Sequence, residues 1–121
     1  MSAPNLVNVS TITAKSYQEA LTTTLTNEII ANAGSSGKVF KVNNIIVANI
    51  DGSSAVDVSV FITKSGGSPI AIASTISVPA DATLVVVDKN TAIYLEEGDN
   101  IEAGASDNSD AVITINYEEL S

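Results

Sequence analysis

The chain has 121 residues, enough for one domain with its own core, and its 14 acidic and five basic residues give a formal net charge of −9. It contains no Cys and no His, which excludes disulfides, the usual zinc sites and the catalytic triads built on an imidazole. The acidic balance also argues against a nucleic-acid partner, because each phosphate contact needs a cation to neutralise it.

The N-terminal segment, residues 1–24, has the weakest pattern. It lacks the basic start and apolar run of a signal peptide, and no apolar run in the chain approaches the roughly 20 residues of a bilayer span. We therefore expect a soluble protein made without Sec-type export and without a membrane partner. Ser16 and Glu19 have the spacing of a helix capping box, but the β-branched run "TTTLT" opposes a helix. Two predictions stay open: an extended arm along a neighbouring subunit, or a first strand in the chain's own sheet.

From residue 25 onward, apolar residues recur at every second position between clusters of Gly, Asn, Asp and Ser. This period is typical of half-buried strands. In "PIAIASTISVP" the alternation predicts one face formed by Ile70, Ile72, Ser74, Ile76 and Val78. The stretches "VNNIIVANI" and "TLVVVD" are continuous runs that predict central strands covered on both faces. The predicted strands are residues 25–33, 38–49, 55–63, 69–78, 83–88, 92–95, 100–105 and 111–118.

Turn-forming stretches such as "AGSSGK", "KSGGSP" and "EEGDN" separate these strands at intervals of about ten residues. The sequence therefore predicts an all-β, single-domain β-sandwich over residues 25–121, immunoglobulin-like or jelly-roll-like, with about eight strands. Residues 1–24 precede it as the arm or first strand.

The stretch "YLEEGDNIE" concentrates acidic residues around one glycine. Its carboxylates are Glu96, Glu97, Asp99 and Glu102. A glycosidase would need two carboxylates at a defined separation, a buried acid and an aromatic platform for the sugar, and only Tyr94 and Tyr117 are near in sequence. We interpret the stretch as a turn whose first three acids point into water, and we predict no catalytic residue.

Two other stretches suggest ligand sites only superficially. Asp51, Asp107, Asn108 and Asp110 lie in Asx-rich turns, but neither turn has the ligand spacing of an EF-hand. "AGSSGK" leads into a strand, whereas a phosphate-binding loop leads into a helix. We predict no metal-binding residue, no cofactor-binding residue and no cofactor.

The composition points instead to protein contacts. The mean hydropathy is +0.27 and only 16% of the residues are charged, so part of the surface is expected to be covered by another chain. Phe61 points away from the valine face of its strand, as core on a second face or as an inter-subunit contact. The residues predicted as possible inter-subunit contacts are Tyr17, Leu21 and Phe61.

The words "VANIDG", "VPADATLVV", "YLEEGD" and a terminal "YEE" occur in this order over residues 38–121. In this the chain resembles small virion structural proteins of tailed bacteriophages, especially those of marine cyanophages. The resemblance implies a β-sandwich assembled in many copies on the particle, as a capsid decoration, neck or tail component. The implied partners are other virion proteins, including the major capsid, neck or tail proteins, and further copies of the chain.

The expected function is therefore non-enzymatic assembly, located in the virion after assembly in the host cytoplasm. The alternative is a module that binds a glycan or protein of the host surface at a tail or fibre, although the chain has few aromatic residues for such a role. A third hypothesis, a carboxylate-dependent hydrolase, is supported only by the acidic stretch.

Overall fold

The computed structural model describes residues 9–121, which form nine β-strands and no α-helix. The strands are β1 (Ile12–Ala20), β2 (Asn27–Ala31), β3 (Val39–Asn49), β4 (Val56–Thr63), β5 (Ile70–Val78), β6 (Thr83–Val87), β7 (Ile93–Leu95), β8 (Asn100–Ala105) and β9 (Ala111–Leu120). One short 3₁₀ turn, Lys89–Thr91, separates β6 from β7. No helix in this part of the chain is long and apolar enough to cross a membrane.

The strands pair as one long hairpin folded about the turn between β4 and β5. Going outward from that turn, β4 pairs with β5, β3 with β6 and β7, β2 with β8, and β1 with β9, all antiparallel. The folded hairpin adds two further pairings, β3 with β9 and β4 with β8. Since these partners are far apart in sequence, most of the ladder is non-local.

The result is two sheets that pack face to face. One has the order β1-β9-β3-β6, with β7 continuing the β6 side of β3, and the other has the order β2-β8-β4-β5. If β6 and β7 are taken as one interrupted strand, this is the arrangement of a jelly roll. The predicted all-β sandwich is confirmed. Of its two expected forms, the strand order excludes the immunoglobulin-like one, in which the first strands of the chain pair with each other.

The core fills the space between the sheets with aliphatic side chains. Val56, Val58 and Val60 of β4 lie on the inner face, as the alternation predicts, and they are at most 1% exposed. Opposite them, Ile113 and Ile115 of β9 are fully buried. Burial of such side chains contributes about 1.5–3 kcal/mol each, and this is the main force that holds the sheets together.

The connection between β1 and β2 crosses the end of the sandwich close to β8. The Leu21 backbone N–H donates to the Ala111 carbonyl (2.7 Å), and the Leu21 carbonyl accepts from Ser109 N–H (2.9 Å). A Cβ at Gly104 of β8 would collide with the backbone of Thr24 and Leu25, so this approach requires glycine. The connection is thereby fixed to the body of the domain.

The eight strands predicted from residue 25 onward all exist, with boundaries within about two residues of the prediction. The ninth strand, β1, pairs with β9 over its whole length, from Ile12 opposite Leu120 to Ala20 opposite Val112. Of the two possibilities for the N-terminal segment, this part is thus a strand of the chain's own sheet. Residues 1–8, the rest of the expected arm, lie outside the described residues.

The predicted positions of β5 and β6 are wrong in two respects. β6 is an edge strand, not a central one, and its Val85 is 57% exposed. In β5, Val58 lies opposite Ile76 but Val60 lies opposite Ala73, so β5 contains one residue more than β4 in this interval. The extra residue forms a bulge, and a second register shift follows where Phe61 lies opposite Ala71, so the alternation is not continuous along β5. As an edge strand, β5 leaves its isoleucines between 38% and 62% exposed.

Candidate functional site

Asp99, in the turn between β7 and β8, is the centre of the acidic stretch, and it is buried. Only 2% of the residue is exposed, so the expectation that it points into water is wrong. Its Oδ1 accepts the Ser65 backbone N–H (3.0 Å), and its Oδ2 accepts the Glu96 backbone N–H (2.8 Å) and an ion pair from Lys64 Nζ. The Asp99 carbonyl also accepts the Asn32 N–H (2.9 Å). Asp99 therefore connects three separate turns at one end of the sandwich.

This arrangement explains why a charged carboxylate is tolerated inside the domain. A buried charge is costly unless it is paired and hydrogen-bonded, and here two backbone donors and an ammonium group satisfy it. The hydrogen bond with Asp99, supported by one with Glu96 at 2.9 Å, raises the pKa of Lys64 above its ordinary value. Since every oxygen of Asp99 already has a donor, the group is placed to fix the turns and not to abstract a proton from a ligand.

The neighbouring acids of the stretch have partners of their own. Glu97 Oε2 accepts the backbone N–H of Gly37 (3.0 Å), and Glu102 Oε1 accepts the hydroxyl of Thr63 (3.1 Å). Glu96, with 71% of its side chain exposed, is the member that does face water. Within the described residues, no group of three or more acidic side chains is arranged to hold a metal ion.

Two buried asparagines also hold turns in place by donating hydrogen bonds to backbone carbonyls. The sequence pattern did not identify either of them. Asn32 Nδ2 donates to the carbonyls of Lys38 (2.8 Å) and Leu95 (3.1 Å). Asn49 Nδ2 donates to the carbonyls of Ser54 and Val78, both at 2.9 Å. Each asparagine follows an alanine at the end of a strand, and that repeated Ala-Asn pair before a turn is the signal that could have identified them.

The Asx-rich turns that lack the ligand spacing of an EF-hand use their side chains as hydrogen-bond acceptors for the backbone. Asp51 Oδ1 accepts both the backbone N–H and the hydroxyl of Ser53 at 3.0 Å, and these bonds lower the pKa of the Asp51 carboxyl. Asn108 Oδ1 accepts the Thr23 N–H (3.0 Å). The Asp51 turn is an Asx-type turn, in which the side chain takes the place of a backbone acceptor, whereas the Asn108 bond joins its turn to the connection between β1 and β2.

A shallow groove of about 350 Å³ lies where β1, β9 and the bulge of β3 meet. Its polar groups are largely paired with one another: Asn116 Nδ2 donates to Asn44 Oδ1 (2.7 Å), and Asn43 Nδ2 donates to Glu118 Oε1 (3.1 Å). A ligand would have to displace these bonds. The groove therefore has the size of a small-molecule site but not the convergent free polar groups.

The three residues predicted as contacts lie in different environments, and the structure does not bring them together. Leu21 is fully buried in the core. It has no surface to offer a partner, so that expectation is corrected. Tyr17 is 39% exposed on the edge strand β1, and its hydroxyl donates to Glu19 Oε1 (2.7 Å). Phe61 is half-buried, opposite Ala71 of β5 and Glu102 of β8. Contacts through Tyr17 or Phe61 stay predictions.

The most distinctive surface is one that the sequence reasoning placed in the core. β5 and β6 are the edge strands of the two sheets on the same flank, joined by the turn in which Ala82 N–H donates to the Pro79 carbonyl (3.1 Å). Neither strand contains a charged residue. We call the exposed aliphatic side chains of these two strands the apolar edge: Ile70 (62% exposed), Ile72 (38%), Ile76 (39%) and Val85 (57%).

No protein-family model matches the chain, and no match was found among curated proteins. The acidic stretch connects three turns through Asp99, and the apolar edge is a surface with four exposed aliphatic side chains.

Proposed function

We propose that this protein is a non-enzymatic structural component of a tailed-phage particle, present in several copies and bound to other virion proteins as a capsid decoration, neck or tail component. The proposal is motivated by the sequence resemblance over residues 38–121. The observation that carries it is the apolar edge, which is a docking surface for another protein chain.

Exposed isoleucines are common one at a time, whereas several exposed aliphatic side chains on two neighbouring edge strands favour an interaction surface. Sheet edges are the sites where soluble proteins usually place charges to prevent association, and β5 and β6 have none. The apolar edge therefore lacks the charged side chains that usually keep a sheet edge in water.

Binding through this surface needs no chemistry beyond burial. Apolar surface removed from water contributes about 25 cal/mol per Å², and a standard contact covers about 800 Å² on each partner. Much of that energy is lost to ordering and to association. On a symmetric particle the same contact is repeated, so each copy is held by several contacts at once and its overall binding becomes strong.

The test is to purify intact particles of the phage that encodes this chain and to measure their protein content by mass spectrometry. We expect the chain at a fixed copy number, and a cryo-EM map of the particle should place the sandwich with β5 and β6 against a neighbouring protein. Absence of the chain from washed particles would refute the proposal.

A glycan array with the purified chain separates this proposal from a host-surface binding module. We expect no glycan to bind above background. A specific glycan signal, together with a map position at a fibre tip, would favour the host-binding alternative.

A further inference from the structure

We draw no further inference here: the strongest candidate, the pair of carboxylates Glu28 and Glu102 that lie opposite each other on β2 and β8, has no second feature that points to a ligand, because the neighbouring Asn100, whose Oδ1 has no hydrogen-bond partner, is only partly buried and already donates its Nδ2 to Glu28 (3.4 Å).

Discussion

The two flanks of the sandwich have the same topology but differ in charge. On each flank an edge strand of one sheet lies beside an edge strand of the other: β1 with β2 on one side, β5 with β6 on the other. On the first flank Asn27 Nδ2 donates to Glu19 Oε2 (2.9 Å), and the Tyr17 hydroxyl donates to Glu19 Oε1 (2.7 Å), so a polar chain connects the sheets. On the second flank the exposed side chains are uncharged, and the isoleucines and Val85 lie among exposed Ser and Thr residues.

This contrast concerns how each edge is protected from pairing with another strand. Charged and hydrogen-bonded side chains protect an edge strand from association, and β1 carries both. β5 has an apolar surface and is protected only by its bulge, which hinders strand pairing but not side-chain packing. The same fold thus provides one flank with charged and hydrogen-bonded side chains and one flank without charge.

The largest effect is expected where the polar flank meets the core. Leu21→Ala removes a fully buried side chain at the end of β1, and we expect a loss of about 3 kcal/mol in the free energy of unfolding. Chemical denaturation monitored by circular dichroism gives this value. Leu25→Ala, in the same connection but 46% exposed, is the matched control and should cost less than about 1 kcal/mol. Equal losses would mean that Leu21 is not a core residue.

A second prediction concerns the turn from which β5 begins. Asp99→Ala leaves the backbone N–H groups of Ser65 and Glu96 without their acceptor and removes the partner of Lys64. We expect a loss of about 2–4 kcal/mol in the free energy of unfolding, because buried donors are left unpaired. Urea titration measures it.

Glu96→Gln serves as the control for Asp99, since it changes an acid in the same turn whose side chain is 71% exposed. Its effect should stay within about 0.5 kcal/mol. If Asp99→Ala lowered the free energy of unfolding no more than Glu96→Gln does, the interpretation that buried Asp99 holds the turns together would be wrong.

The bulge in the apolar flank gives a smaller and more local prediction. Ser59 Oγ accepts the backbone N–H of Thr75 (2.9 Å), and Ser59→Ala removes that acceptor. We expect a loss of about 1 kcal/mol and faster amide hydrogen exchange at Thr75. Ser77→Ala, at an exposed position of the same strand, should leave the exchange at Thr75 unchanged. Unaltered exchange in Ser59→Ala would show that the bulge does not depend on this bond.

The smallest expected effect is a titration on the polar flank. The hydrogen bond to Glu19, together with its negative charge, raises the pKa of the Tyr17 phenol above 10.0. Because the raised pKa favours the protonated phenol in the folded chain, its contribution to stability is present below pH 10.0 and is lost as the pH rises through the folded pKa. NMR titration of the tyrosine ring should show the pKa falling in Glu19→Gln. Glu28→Gln, an acid on β2, should leave the Tyr17 pKa unchanged.

Much of the fold could be predicted because strands and turns are encoded locally. The alternation in "AVDVSVFIT" correctly placed Val56, Val58 and Val60 inside, and the turn-forming clusters correctly separated the strands. In "PIAIASTISVP" the same reasoning failed, because β5 is an edge strand with two register shifts, and Thr75 at the first of them donates its N–H to Ser59 of the neighbouring strand. The alternation alone contains no sign of that bond.

The candidate site was less predictable for the same reason. The position of Asp99 beside glycine in a turn indicates a solvated side chain, and its neighbour Glu96 is solvated. Asp99 is buried because the turn that contains Lys64 and Ser65 packs over it, and that turn is more than 30 residues away in sequence. Leu21 was expected at the surface, because it follows an exposed strand. It is a core residue, because the chain crosses the end of the sandwich at this point.

The sequence by itself determined the all-β class, the eight strands from residue 25 onward, the acidic charge and the lack of imidazole and thiol chemistry, since each follows from composition or from a local period of two. Only the tertiary structure decided the strand order, the edge positions of β5 and β6, and the burial of Asp99 and Leu21. The physical reason is that backbone conformation is set by neighbouring residues, whereas pairing partners such as Ile12 and Leu120 are chosen by burying all apolar faces of the chain at once.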